Sequence, residues 1–329
     1  MEEKVKDFLL SCSETDFGPV KLANGVENFR RELNHEVISL CNSLPKSTQT
    51  DALLLLMRYF HMPIGGELSF FANYYAPSWS IIYWLIRSMP ESKVLKERDI
   101  KNAKRAHGMA LLLHPLDDHL NDNELPITHL TMLLRSQSWL IMNEALSRLA
   151  DEVDDGIEIV RLLIDDYYSG VGGSKKIQSL DGYCERFKKQ MATGFIVPGL
   201  IMKKMNVNQE FSHAVLAAYA SFGIAWRLLD DINDIEADMM KGNHSAIYHS
   251  LPEDLRNQWA KDVEYQNEGW AENIFDYIIK HRVIEKIKER ICAELDSAAA
   301  IADDCNLTGL ADELRSLLNP LKENGPKPL

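Results

Sequence analysis

Two acidic stretches hold the residue types most able to do chemistry. The second reads Asp230-Asp231-Ile232-Asn233-Asp234 and continues through Glu236 and Asp238 to Lys241-Gly242. An apolar run, Gly223 to Leu229 with Trp226 and Arg227 inside it, feeds into it without a turn residue. At 3.6 residues per turn, Asp230, Asp234 and Asp238 fall on one helical stripe. Carboxylates stacked this way repel by roughly 4 kcal/mol per close pair at about 4 Å and an effective dielectric of roughly 20. Such a face is either solvated or holds a cation. The first stretch, Asp117-Asp118-His119-Leu120-Asn121-Asp122, also ends an apolar run and lies about 110 residues earlier. Mg²⁺ favours one or two carboxylates together with phosphate oxygens and water, at about 2.0–2.1 Å. Two facing acidic walls therefore suit a diphosphate held through Mg²⁺. The plain alternative is two unrelated polar helix ends. A doublet alone says little, since Asp154-Asp155, Asp165-Asp166 and Asp303-Asp304 occur as well.

The elements that must position these walls read as helices. Apolar spacing predicts helices over 26–42, 51–60, 100–120, 127–150 and 157–168, and over 180–205 with a soft spot at Gly194, Pro198 and Gly199. One long helix is expected over 211–240, followed by a polar stretch to about 267 and helices over 270–300 and 307–321. An aromatic-rich segment spans 70–86, with Phe70, Phe71 and Tyr74 as candidate walls of a cavity or as core, and Pro77 complicates a single helix there. The Gly170-Val171-Gly172-Gly173-Ser174 run is expected to be a loop; it is no phosphate loop, because neither a strand nor a GK[ST] accompanies it. No strand, linker or short repeat stands out. The expectation is one all-α domain over 1–329, a helical bundle with 1–20 and 324–329 loosely ordered.

With 329 residues, 46% of them hydrophobic, the chain can bury a sizeable core. Its 36 Lys and Arg against 49 Asp and Glu give a net charge of −13. That balance argues against nucleic acid as a partner, because such binding rests on cations at phosphates. Five scattered cysteines without a CxxC pair read as reduced thiols. The opening residues lack the order of a signal peptide and no apolar run reaches 18 residues, so the expectation is a cytoplasmic protein with no membrane span.

The two acidic stretches in this setting resemble those of the all-α class I isoprenoid synthases, specifically the trans-prenyltransferase (polyprenyl diphosphate synthase) branch. Asp117-Asp118 through Asp122 resembles the first DDxxD motif, and Gly223 through Asp234 resembles the helix leading into the second. Asp230, Asp234 and Asp238 also match the spacing of the terpene-synthase triad (N/D)Dxx(S/T)xxxE, with Asp at each ligand place. The segments 126–146 and 183–195 resemble the family's stretch after the first motif and its Lys-Thr helix, and the similarity spans roughly 26–320. The resemblance implies a helical bundle around a large central cavity, a homodimer, and three Mg²⁺ ions held with diphosphate by Asp117, Asp118 and Asp122 on one wall and Asp230, Asp231, Asp234 and Asp238 on the other. It further implies that Arg186, Lys189, Arg227 and Lys241 grip the diphosphate. Arg186 stands 44 residues before Asp230, near the place of a diphosphate-sensing arginine, and Arg227 replaces an expected glutamine. Phe70, Phe71, Tyr74, Leu113, Trp139 and Trp226 are the candidate cavity walls. His114, His119 and His244 read as helix-end polar residues, because oxygen ligands suit Mg²⁺.

Two departures shape the expected activity. Elongating members carry Gly-Gly-Lys-Arg near the N-terminus and an Arg pair after the first motif, where isopentenyl diphosphate binds. Here the chain reads Gly65-Gly66-Glu67-Leu68 and Asn123-Glu124-Leu125-Pro126. A diphosphate site needs Lys or Arg donors, and a glutamate repels it. The expectation is a Mg²⁺-dependent terpene synthase that ionises one C15 or C20 prenyl diphosphate. The alternatives are chain elongation with isopentenyl diphosphate, or prenyl transfer to another acceptor. Leu112 and Leu113, just before the first motif, do not choose the chain length.

Overall fold

A computed structural model describes residues 3–63, 65–66, 68–88, 95–121, 124–172, 177–259 and 270–323. Among these, every regular element is helical. In chain order the helices are α1 (Glu3–Ser13), α2 (Asn24–Ser43), α3 (Gln49–Tyr59), α4 (Pro77–Ser88), α5 (Glu97–Asn121), α6 (His129–Ala150), α7 (Gly156–Gly172) and α8 (Leu180–Gln190). There follow α9 (Ala192–Lys204), α10 (Gln209–Asn233), α11 (Ile235–Lys241), α12 (Ala246–Ser250), α13 (Glu253–Trp259), α14 (Trp270–Lys280), α15 (Val283–Asp304) and α16 (Thr308–Glu323). The core runs from α1 to α16, with α10 packed along α15, α5 along α6, and α7 against α8 and α9. No helix among the described residues is long and apolar enough to cross a membrane.

Local chemistry explains several boundaries. Thr128 and Thr131 form a reciprocal capping box at the start of α6, at 3.1 and 2.8 Å. Asn208 caps α10 through Phe211 N at 2.7 Å. Gly242 ends α11 in the left-handed region, at φ 72°. Pro77 sits at the first position of α4, where a missing N–H costs nothing, so the aromatic segment divides into a turn and a helix.

Pro115 lies inside α5, two residues before the first acidic pair. It cannot donate to the carbonyl four residues back, that of Leu111. The Tyr74 hydroxyl donates to that oxygen instead, at 2.9 Å, so the orphaned acceptor is satisfied from the turn before α4.

The structure departs from the sequence expectations in five places. The segment before residue 21 is docked: α1 buries Val5 and Cys12, and Phe17 packs edge-on against Tyr75. Residues 324–329 lie outside the described residues. The helix expected over 180–205 breaks at Met191. Gly170 to Gly172 continue α7, while 173–176 lie outside the described residues. The polar stretch after Gly242 contains α12 and α13, anchored by buried Ile247, Leu255 and Trp259. The long acidic helix breaks at Asp234, between α10 and α11. The helical register survives that break, because Asp234 N bonds Asp230 O at 2.9 Å and Asp238 N bonds Asp234 O at 2.8 Å.

Candidate active site

Helices α5 and α10 end beside one cavity of about 900 Å³, whose lining includes His114, Asp117, Asp118, Asn121, Tyr183 and Arg227. A smaller apolar pocket lies deeper, lined by Tyr74, Leu111, Met191, Tyr219, Phe222 and Trp226. His114 borders both. Burial pushes its pKa down, with Asp118 pulling the other way and Arg227 adding to the depression, which favours a neutral imidazole. It therefore stands between the polar mouth and the apolar depth, a position that a helix-end reading does not capture.

On the first wall the two aspartates have opposite surroundings. Asp117 is held from α6 and α7: Arg135 donates from Nε to Oδ1 at 2.6 Å and from Nη2 to Oδ2 at 3.1 Å. Tyr167 donates its hydroxyl to Oδ2 at 3.1 Å and Trp139 its indole N–H at 3.4 Å. Asp118 is exposed and lines the cavity, and among the described residues it has neither a hydrogen-bond nor an ion-pair partner. Asp122 lies outside the described residues. His119 accepts or donates at Tyr59 Oη, 2.9 Å away, and stands 3.5 Å from Glu124.

The second wall inverts this order. Asp230 is open, with Arg227 Nη1 at 3.3 Å. Asp231 is 1% exposed and turned inward. Its Oδ2 accepts from Ala246 N at 2.7 Å, fixing the start of α12, and its Oδ1 lies 3.0 Å from Arg227 Nε. Arg227 Nε in turn donates to the Tyr183 hydroxyl at 2.7 Å. Asp234 is exposed and unpaired among the described residues. Asp238 is buried; one oxygen accepts from Asn243 Nδ2 at 3.2 Å and the other, Oδ2, has no partner. Asn233 anchors this wall to the N-terminal segment once its amide is assigned with the nitrogen facing the carbonyls of Cys12 and Thr15, to which it then donates at 2.9 and 2.8 Å.

The electrostatics tie the walls together. Asp230 is pushed up to about 6, first by burial and then by Asp231, Asp234 and Asp118, against Arg227. The contribution of Asp118 places the two walls within electrostatic reach of each other. Asp238 is pushed up to about 7 by burial and then by Asp231. Burial raises Asp231 and Asp234 as well. Carboxylates this crowded take up protons or gain from a cation. Among the described residues no three His, Cys, Asp or Glu side chains converge on one metal-sized point. The donor chemistry nevertheless suits Mg²⁺, being oxygen-only with Asp118, Asp234 and Asp238 Oδ2 unspent; of the seven expected metal ligands, Asp117 and Asp118 border the cavity, and Arg227 is what α10 presents to it.

The other expected site residues are distributed unevenly. Arg186 lines the cavity, steadied by Gly170 O at 2.8 Å and Val171 O at 3.3 Å. Lys189 pairs with Asp166 at 3.3 Å, and Lys241 with Glu124 at 2.5 Å; neither borders the cavity. Tyr74 and Trp226 line the deeper pocket, their rings 6.3 Å apart. Phe70 and Phe71, each 1% exposed, and Leu113 are core residues that border neither cavity. The two phenylalanines sit there because the turn before α4 faces inward, with Asn34 Oδ1 accepting from Phe70 N at 2.8 Å. Trp139 packs over Asp117 and stacks on Tyr168, 6.0 Å away. His244 stacks on Tyr248 at 4.0 Å. Sequence reading missed Arg135, Tyr167 and Arg256. None lies within a helical turn of either acidic stretch, so no spacing signal points to them.

No protein-family profile matches this sequence, and neither does any curated protein. Solved structures match along nearly the whole chain. A geranylgeranyl pyrophosphate synthase from Corynebacterium glutamicum superimposes with TM-score 0.67 at 14% identity, covering 97% of this chain and 99% of that one. A heptaprenyl diphosphate synthase from Staphylococcus aureus gives 0.62 at 12%, covering 92% and 98%. A Corynebacterium glutamicum geranylgeranyl pyrophosphate synthase complexed with isoprenyl diphosphate and magnesium gives 0.57 at 15%, covering 91% and 99%. The fold of this chain is thus the all-α isoprenyl diphosphate synthase fold, as the acidic motifs led one to expect.

Proposed function

We propose that this chain is a prenyl-transferring enzyme of the trans-prenyl diphosphate synthase type. It ionises an allylic prenyl diphosphate at the cavity mouth and passes the allylic group to an acceptor. The observation that carries this reading is the unpaired Asp118 at the end of α5, within electrostatic reach of Asp230 at the end of α10, above an apolar pocket. Chain-lengthening synthases dominate the structural neighbours, so elongation or prenyl transfer moves ahead of the terpene-synthase expectation.

Asp118, Asp230, Asp234 and Asp238 would hold Mg²⁺, which when bound with diphosphate neutralises the charge building on the leaving group. Arg227, fixed by Tyr183 and Asp231, holds a positive charge beside Asp230 where that leaving group would lie. Asp117, with both oxygens occupied, serves to orient the end of α5. His114, Trp226 and Tyr74 separate the mouth from the apolar pocket that would take the hydrocarbon, keeping water from an allylic cation. Homodimerisation is supported by exposed apolar side chains on consecutive helices, Met132 and Leu140 on α6 and Ile157 and Leu162 on α7.

One observation favours cyclisation without elongation. Glu124, just after the first motif, is ion-paired to Lys241, so an anion with its own counter-ion stands near where elongating relatives carry arginines. Glu67, the other departure, lies outside the described residues. Incubation with C10, C15, C20 and C25 allylic diphosphates and Mg²⁺, with and without isopentenyl diphosphate, separates the readings. Longer diphosphates support the proposal. A hydrocarbon or alcohol formed without isopentenyl diphosphate supports cyclisation, and no diphosphate release from any substrate sinks both.

A further inference from the structure

The second acidic wall is built across a joint. Asp230 belongs to α10 and Asp238 to α11, and Asp234 alone connects the two helices. Helices joined through one residue can swing against each other unless something outside them holds the joint. Asn233, next to the joint, does not border the cavity. With its amide nitrogen toward the N-terminal segment, it donates to Cys12 O and Thr15 O at 2.9 and 2.8 Å. Residues 12–18 are fastened on two further sides. Asp16 Oδ1 accepts from the Tyr75 hydroxyl at 2.6 Å, and the Phe17 and Tyr75 rings meet edge to face at 4.7 Å. Gly18 N donates to Leu317 O on α16 at 2.9 Å, and a Cβ at Gly18 would run into Ser316 O. We propose that residues 12–18 form a strap that positions the second acidic wall, and that Asn233 is the positioning residue through which it acts.

Three features support such a strap. First, α1 packs against both α10 and α11, so the N-terminal segment spans the joint rather than covering one side of it. Second, the strap is firm where Asn233 meets it. Cys12, Thr15 and Phe17 are buried, Thr15 N donates to Cys12 O at 3.0 Å, and Asp16 Oδ1 also takes Phe17 N at 2.7 Å. An amide nitrogen carries two hydrogens, and the two carbonyls can take one each. Third, the strap reaches the open carboxylate of the wall. Burial, then the hydrogen bond and charge of Asp16, then the charge of Asp230 push the Tyr75 hydroxyl up, so Tyr75 stands within electrostatic reach of both. Mg²⁺ demands near-ideal octahedral geometry. Carboxylates split between two helices meet that demand only while the helices keep one relative orientation.

That the strap holds the joint stands on its own contacts. That the held wall binds Mg²⁺ with diphosphate rests on the function proposed above.

Two measurements on the full chain test it. Amide hydrogen exchange, read by mass spectrometry on peptides covering 230–240, reports the joint without any metal. Asn233→Leu keeps the side-chain size and removes the amide, and should speed exchange there roughly tenfold. Gly18→Ala, which lifts the strap off α16, should act in the same direction. Lys204→Met is the control for lost stability alone. It strands buried Asp99 at the other end of α5 from the first motif, and should lower the thermal midpoint without changing exchange over 230–240. Mn²⁺ in place of Mg²⁺, titrated with inorganic diphosphate and followed by electron paramagnetic resonance, then reads the wall itself. Asn233→Leu should raise the half-saturating Mn²⁺ concentration about tenfold, as removal of an outer-shell partner does. Asn233→Gln, which keeps the carboxamide, should recover part of that loss, and Lys204→Met should match the parent. Unchanged exchange in Asn233→Leu overturns the strap, as does equal loosening in Lys204→Met. Faster exchange with parent-like Mn²⁺ affinity overturns the positioning role. A parent chain that takes up no Mn²⁺ sinks the metal reading of the proposed function, while the exchange result still decides the strap.

Discussion

The two acidic walls have the same local sequence, an apolar helix run followed by an Asp pair, and the structure uses them in opposite order. On α5 the first aspartate, Asp117, is enclosed by Arg135, Tyr167 and Trp139, and the second, Asp118, is open. On α10 the first, Asp230, is open, and the second, Asp231, is buried beneath Arg227 and the start of α12. Each wall therefore pairs one carboxylate that fixes architecture with one that is available to chemistry. Adjacent residues on a helix point about 100° apart. A doublet cannot aim both carboxylates at one ligand, so the neighbouring helices decide which one is spent on structure.

That division predicts unlike consequences for like substitutions. On the proposed function, Asp118→Asn and Asp230→Asn should each reduce diphosphate release by about 10³-fold or more, because each would remove a carboxylate proposed to hold Mg²⁺. Neither should lower the thermal midpoint, and above pH 6 Asp230→Asn should raise it, because it removes a carboxylate whose ionisation the fold opposes. Full turnover in either variant sinks the assignment of the open pair. Asp231→Ala should instead behave as a folding lesion. It strands Arg227 and the Ala246 N–H in a buried setting, and losing one partner of a buried ion pair costs about 3–5 kcal/mol. Urea unfolding checks this, and a loss below about 1 kcal/mol would falsify the buried role of Asp231.

Much of this was legible in the sequence, and the rest was not for identifiable reasons. Helical spacing placed the two carboxylate stripes at the ends of apolar helices, because a 3.6-residue period is a local property. The breaks at Met191 and Asp234 were not legible, since no proline or glycine marks either one. Docking of α1 depends on Asn233 meeting two carbonyls more than 200 residues away in sequence. Phe70 and Phe71 read equally as cavity wall or core, and only the inward turn before α4 puts them in the core. Lys189 and Lys241 carry the charge a diphosphate would want, but nearby anions, Asp166 and Glu124, hold them. Sequence spacing reports which face a residue occupies; it does not report what the opposing helix presents.

A smaller effect sharpens the contrast on the first wall. Arg135→Met should cost about 1–3 kcal/mol, because Asp117 keeps Tyr167 and Trp139 but loses its counter-charge in a half-buried place. Adding Asp117→Asn should recover part of that loss, since the stranded charge disappears. The coupling in a double-mutant cycle by urea unfolding measures the pair directly. Simple additivity of the two substitutions would show that Arg135 holds Asp117 no more tightly than solvent does.

The smallest expected effect concerns pH and separates the second wall from another buried carboxylate. Asp230 is pushed up to about 6 and Asp238 to about 7. Glu313 on α16, 5% exposed, is pushed up to about 7 by burial, against the hydrogen bonds it accepts from Ser80 and Trp84. For each group the folded chain binds the proton more tightly than the unfolded chain. Stability from these groups is therefore fully present below the unfolded carboxylate range and is lost as pH rises through about 6 to 7. In EDTA the thermal midpoint should fall by about 2–5 °C between pH 5.5 and 8. Mg²⁺ should raise the midpoint more at pH 8 than at pH 5.5, because it engages ionised carboxylates. Asp238→Asn should remove most of this Mg²⁺-dependent gain. Glu313→Gln should flatten part of the pH slope and leave the Mg²⁺ gain unchanged, since no cation site is needed to explain its shift. A Mg²⁺ gain that survives Asp238→Asn and vanishes in Glu313→Gln would reverse the roles given to the two carboxylates.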